Sequence, residues 1–156
     1  EWKETHKIEE FVIVIDTSMS CSGDLVRKFL EETYHILAET ESFFRKVHIR
    51  ILQCDDAVRA DQLITTGEEL KQYMDHLQLY GDGGTDFRPA FTYVQQLIDQ
   101  GEFKNLKGLL YFTDGKGTFP RKRPPYDAAF ILFREDYKEV SVPPWAIRLM
   151  LDEEDL

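Results

Sequence analysis

The run Phe11-Val-Ile-Val-Ile15 holds five apolar, mostly β-branched residues with no polar interruption. A strand with one wet face alternates polar and apolar positions, so this run predicts a strand covered on both faces, as in a parallel sheet. It ends in Asp16. Beyond it, Leu25, Val26, Phe29, Leu30, Thr33, Tyr34, Ile36 and Leu37 recur every three or four residues among Arg27, Lys28, Glu31, Glu32 and Glu39, which predicts an amphipathic helix from about Gly23 to Thr40. Val47 to Cys54 and Ala57 to Ile64 read as two more strands. The break at Asp55-Asp56 is too short for a crossover, so these strands form an antiparallel hairpin and one edge strand runs backwards.

Further on, Leu70, Tyr73, Met74 and Leu77 share one face of a short helix over Glu68 to Leu77. Phe91, Val94, Leu97 and Ile98 supply a third helix with its buried stripe. Lys107 to Thr113, Ala128 to Phe133 and Trp145 to Leu151 are the remaining strands. The links among these late strands are too short and proline-rich for full helices, so that half of the sheet is expected to be thinly covered on one face. The pattern as a whole is α/β: a Rossmann-like three-layer fold, mostly parallel in its central sheet, with one antiparallel edge strand and flanking helices.

With 156 residues, 42% of them hydrophobic, the chain can bury a core of its own and is read as a single domain over 1–156. It opens at Glu1, on a charged lead-in, and is read as a piece of a longer protein. A net charge of −10 argues against a nucleic-acid groove, where clustered Lys and Arg must meet phosphates. No run approaches the length of a membrane span and no signal-peptide pattern opens the chain, so a cytoplasmic domain is expected. Cys21 and Cys54 are too few for a disulfide scaffold and lack metal-site spacing. Reduced thiols fit that compartment.

In open α/β sheets, ligands gather outside the carboxyl ends of the strands. Asp16, Ser18 and Ser20 stand at that end of the first strand, and alternate residues of an extended segment share a face. A plainer role suits the same residues: Ser20 or Ser22 as a helix cap, and Asp16 in a turn. Tyr80-Gly-Asp-Gly-Gly-Thr85-Asp86-Phe-Arg-Pro89 follows the second helix, with three glycines free to take positive φ, Thr85 or Asp86 to cap the next helix, and Pro89 in its first turn. Asp82 adds an acid there. Phe112-Thr-Asp114-Gly repeats the opening theme of a strand ending in an acid. Arg121, Lys122 and Arg123, in the loop after Asp114, are read as solvated.

Three loops, each following a different strand, would bring Asp16, Ser18, Ser20, Thr85 and Asp114 to one edge. Every donor is an oxygen. Hard oxygen ligands select Mg²⁺, Mn²⁺ or Ca²⁺, whereas zinc favours imidazole and thiolate. His6, His35, His48 and His76 form no HExxH pair, so zinc hydrolysis has no support. Two carboxylates and three hydroxyls only just offset a divalent charge, and an octahedral ion would keep a position for a carboxylate from another molecule.

Asp16-Thr-Ser18-Met-Ser20, Thr85 in Gly-Gly-Thr-Asp and Asp114 in Phe-Thr-Asp-Gly together resemble the metal-ion-dependent adhesion site (MIDAS) of von Willebrand factor A (VWA) domains, in family order from Ile8 to about Leu151. Gly-Gly-Thr-Asp-Phe-Arg-Pro and Pro-Pro-Trp-Ala-Ile-Arg are similar to the VWA-like domain at the C-terminal end of bacterial metallopeptidase-like proteins. The resemblance implies that Ser18, Ser20 and Thr85 meet a metal by hydroxyl and Asp16 and Asp114 directly or through water. It also implies a protein ligand offering Glu or Asp, and a MoxR-type AAA+ ATPase as partner. The late crossovers depart from the usual VWA pattern. Two rivals stand beside this reading. One is a haloacid-dehalogenase-like, Mg²⁺-dependent phosphotransferase with Asp16 as nucleophile and Asp114 as the later acid, which lacks its second acid because Ser18 occupies that place. The other is a structural domain with an empty site.

Overall fold

The computed structural model describes residues 9–18, 23–39, 46–81, 83–132 and 141–150. Strand β1 (Glu10–Asp16) leads through helix α1 (Gly23–Ala38) to β2 (His48–Cys54), which turns back into β3 (Val58–Ile64). Helices α2 (Gly67–Asp75) and α3 (Arg88–Asp99) follow, then β4 (Leu106–Thr113), β5 (Asp127–Leu132) and β6 (Ile147–Met150). One sheet holds them in the order β3-β2-β1-β4-β5-β6. All neighbours are parallel except β2 and β3, whose antiparallel pairing follows from their short turn. The mostly parallel sheet with one reversed edge strand is the architecture that the hydrophobic pattern predicts.

Because side chains alternate along a strand, β1 serves two cores. Ile13 and Ile15 join Ile49, Ile51, Phe112 and Ile131 under α1 and α2. There Phe29 stacks on Phe112 at 4.3 Å between ring centroids. Val12 and Val14 join Leu52, Leu109, Tyr111 and Phe130 under α3. The continuous apolar run of β1 is thus explained: Val12 to Ile15 are at most 1% exposed.

Thr66 caps α2 by accepting a hydrogen bond from the Glu69 amide, and Glu69 accepts in turn from the Thr65 amide. Pro89 lies in the first turn of α3, as its fixed φ favours. Thr85 does not cap that helix; the Asp86 carboxylate instead accepts from the Arg88 amide at 3.0 Å. The reversed strand β3 is tied down by Arg50, which bonds Asp61 at 2.6 Å and Glu102 at 3.0 Å, while Tyr93 of α3 donates to Asp61.

The segment between β4 and β5 holds no helix. Phe119 from that segment packs on Phe87 and Phe130, with ring centroids 4.7 and 4.9 Å away. Trp145, just before β6, meets Phe91 edge-on at 5.8 Å. Both cover the α3 side. The thin coverage expected of this half appears at β6, where Ile147, Leu149 and Met150 are 52%, 45% and 46% exposed.

Candidate metal centre

Asp16 is the last residue of β1, and Asp114 follows the last residue of the parallel strand β4, so both acids stand at the same carboxyl edge. The strand order reverses here: β1 is followed in the chain by β2 on one side and flanked by the later β4 on the other. That switch point is where open α/β sheets collect ligands. Asp16 is fully buried and Asp114 3% exposed.

One Asp16 oxygen, Oδ1, accepts from the Ser18 amide at 2.9 Å. The other, Oδ2, accepts from the Thr113 hydroxyl at 2.5 Å. Thr113 is itself held, accepting from the Gly115 amide at 3.1 Å, and Asp114 Oδ1 accepts from the Lys116 amide at 3.0 Å. Burial pushes the Asp16 carboxyl above its usual value; the bonds from Thr113 and Ser18 pull the other way, and the neighbouring Asp114 charge adds to the rise. The salt bridges of the sheet edge engage other acids, Asp55, Asp61 and Asp86 among them. A buried carboxylate of this kind is costly without a counter-charge.

Thr85 reaches this edge by a route the sequence reading misplaced. Its loop follows α2 rather than a strand, and of its glycines only Gly81 has a positive φ, at 102°. Two contacts seat the loop. On one side Asp86 and Thr118 form a parallel bridge, with the Phe87 amide donating to the Thr118 carbonyl at 3.0 Å. A Cβ on Gly117 would lie 2.8 Å from the Thr85 methyl and 2.9 Å from the Phe87 ring, so the Asp114 loop can come this close to Thr85 only with glycine there. On the other side lies Asp55, at the end of β2. Its Oδ2 accepts from the Gly83 amide at 3.1 Å, its Oδ1 accepts from Ala57 at 3.1 Å and Arg59 at 2.8 Å, and its carbonyl accepts from the Asp86 amide at 3.1 Å. Burial raises the Asp55 carboxyl, but the Arg59 guanidinium and the two amides outweigh it and hold it down at about 2.

Asp16, Ser18, Thr85 and Asp114 therefore lie in adjoining loops of one edge. Ser20 lies outside the described residues, as do Cys21, Ser22 and Asp82. Cys54 is buried, and burial foremost pushes its thiol up to about 11, so it stands as a neutral thiol beside Asp16 rather than as a thiolate ligand. Among the described residues no three His, Cys, Asp or Glu side chains gather as a metal cage. A cation here would rest on two acids and on hydroxyls. The residues fit such an ion: the donors are all oxygens, two acids stand close together, and among the described residues the buried Thr17 hydroxyl has no partner.

The sequence reading missed Thr113 and Asp55. Thr113 is the hydroxyl just before Asp114, a position whose meaning depends on strand pairing. Arg121, Lys122 and Arg123 are exposed as expected, but Arg123 lies away from the Asp114 loop. It lines a cleft of about 340 Å³ with Asn105, Lys107 and Asp127 at the opposite, amino ends of β4 and β5.

A six-stranded sheet of this order with an acid and hydroxyl loop at its switch point defines a VWA-like domain. The chain belongs to the family described as VWA-like domain (DUF2201), which matches residues 11–152. No curated protein sequence matches it. Among solved structures it is similar to proximal thread matrix protein 1 of the mussel byssus, with 13% identity and a TM-score of 0.65 over 93% of this chain and 44% of that one. It thus spans less than half of that protein. It is also similar to BatB of Bacteroides thetaiotaomicron, with 11% identity and a TM-score of 0.60 over 94% and 91% of the two chains. The Rpn10 VWA domain gives 12% identity and a TM-score of 0.58 over 94% and 89%. At such identities the likeness is one of fold. One byssus-protein structure carries a zinc-occupied MIDAS motif. No helix among the described residues is long and apolar enough to cross a membrane.

Proposed function

We propose that this domain is a metal-ion-dependent protein-interaction module, with Asp16, Ser18, Ser20, Thr85 and Asp114 holding a divalent cation, Mg²⁺ first among Mg²⁺, Mn²⁺ and Ca²⁺. The observation that carries the reading is the fully buried Asp16 carboxyl beside a second acid, Asp114, at the switch point of the sheet, a pairing of like groups that calls for a positive charge between them. A bound divalent cation would supply that charge and act as a Lewis acid with room for one more oxygen ligand. Asp16, whose two oxygens already accept from Ser18 and Thr113, would act through water, and Ser18, Ser20 and Thr85 would offer hydroxyls. A Glu or Asp of a partner protein would complete the shell. The zinc-occupied site of the byssus protein supports a divalent ion at this kind of edge without choosing the metal for this chain.

The partner class implied by family resemblance is a MoxR-type AAA+ ATPase, and the longer protein would carry a metallopeptidase-like region ahead of this domain in a bacterial cytoplasm. The domain itself is a binding module and not an enzyme. Full burial of Asp16 and the serine two residues beyond it weigh against a phosphotransferase nucleophile.

Thermal unfolding with and without millimolar Mg²⁺, for the parent and for Asp16→Ala, tests the reading. A ligand present at about 100 times its Kd stabilises by about 2.7 kcal/mol, so the parent melts higher with metal and the variant does not. An unshifted parent sinks the proposal. Turnover of p-nitrophenyl phosphate that vanishes in Asp16→Asn would establish the phosphotransferase instead.

A further inference from the structure

We propose that Asp55 is a positioning residue for the metal centre, setting where Thr85 stands without touching the cation itself. This rests on the metal reading above. Asp55 directly follows β2 beside Asp16, since Asp16 and Cys54, the last residue of β2, are register partners. It takes hold of the Thr85 loop at two points. The side chain accepts from the Gly83 amide and the main-chain carbonyl accepts from the Asp86 amide, each at 3.1 Å. Those two bonds bracket Gly84 and Thr85.

The fit allows little slack. A Cβ on Gly81 would fall 2.7 Å from Asp55 Oδ2, and one on Gly83 would fall 3.2 Å from it. Gly84 is different: nothing lies within 4 Å of its Cβ position, so the glycine next to Thr85 is spanned rather than packed. Asp55 is itself fixed, 1% exposed and bonded to Arg59 and the Ala57 amide. Its oxygens are spent on three donors, which suits an anchor rather than a ligand. With the Gly117 contact on the far side, Thr85 is clamped between the ends of β2 and β4. Partners that orient ligands in this way carry weight: their loss typically weakens metal binding by about 10- to 100-fold.

The test is Mg²⁺ titration calorimetry on the parent, Asp55→Asn, Thr85→Ala and the double variant. Asp55→Asn keeps the shape but gives up an acceptor oxygen, and it is expected to weaken Mg²⁺ binding by about tenfold. If Asp55 acts through Thr85, the same change in the Thr85→Ala background costs less than about twofold. Asp61→Asn, which loosens the β3 anchor away from the site, controls for general destabilisation and leaves affinity unchanged. Gly83→Ala, in an exposed loop, presses on Asp55 Oδ2 and serves as the second probe should Asp55→Asn fail to fold; it weakens binding in the same direction. Parent-like affinity in Asp55→Asn, multiplying losses in the double variant, or an equal loss in Asp61→Asn overturns the proposal. A parent that binds no Mg²⁺ defeats the metal reading itself.

Discussion

The Thr113 hydroxyl donates a hydrogen bond to Asp16 across 97 residues of chain, joining the ends of the two central parallel strands. It satisfies one oxygen of a fully buried carboxyl. Thr113→Val keeps the shape and deletes the donor, and a buried acceptor left unsatisfied costs about 1–3 kcal/mol. Urea unfolding at pH 7 should register that loss, with Thr113→Ser restoring most of it.

Asp16 itself burdens the metal-free domain. Its folded carboxyl is pushed above the usual 3.8, chiefly by burial, so protonation favours the folded state. That contribution is present below 3.8 and is lost as pH rises through the raised value. Asp16→Asn should therefore melt higher than the parent at pH 7 without metal, and the gap should narrow as pH falls toward 4. With Mg²⁺ the order reverses, because only the parent gains. Melting curves at several pH values with EDTA or Mg²⁺ check both halves.

Asp55 has the opposite sign. Burial raises its carboxyl, but Arg59 and the Gly83 and Ala57 amides prevail, so the folded value, about 2, lies below the usual 3.8. Its stabilisation is complete above 3.8 and disappears as pH falls through about 2. Acid unfolding of Asp55→Asn should lack that part of the slope between pH 4 and 2, and should start from a lower stability at neutral pH.

Phe87 is fully buried where the Thr85 loop enters α3, with Tyr111, Phe119 and Phe130 around it at ring centroid distances of 4.9, 4.7 and 5.4 Å. Phe87→Ala should cost about 3–5 kcal/mol, as large-to-small core changes do. Because the same ring faces Gly117, the cavity would also slacken the Asp114 loop. Denaturant unfolding reads the first effect, and Mg²⁺ affinity the second.

Gly117→Ala tests the seam between the Thr85 and Asp114 loops directly. The added methyl would meet the Thr85 side chain at 2.8 Å and the Phe87 ring at 2.9 Å. Overpacking of this kind costs about 1–3 kcal/mol. The expected result is a lower melting temperature together with weaker Mg²⁺ binding, whereas Gly84→Ala, with open space around it, should leave the unfolding free energy within about 0.5 kcal/mol of the parent.

Local periodicity was enough to place the apolar run of Phe11 to Ile15 in a doubly covered strand, to reverse the strand after Asp55-Asp56, and to find an acid at the end of both β1 and β4. Those features depend on neighbours two to four residues away, and the alternation of strands and the 3.6-residue turn of helices write them into the chain. The partners of those acids are another matter. That Thr113 faces Asp16, that Thr85 arrives behind a helix and is seated by Asp55 and Gly117, and that Arg123 ends at the far edge all depend on strand register and crossover path. Such pairings join residues tens of positions apart, where no repeating pattern links one to the other. Only the folded sheet, by choosing which strand lies beside which, decides them.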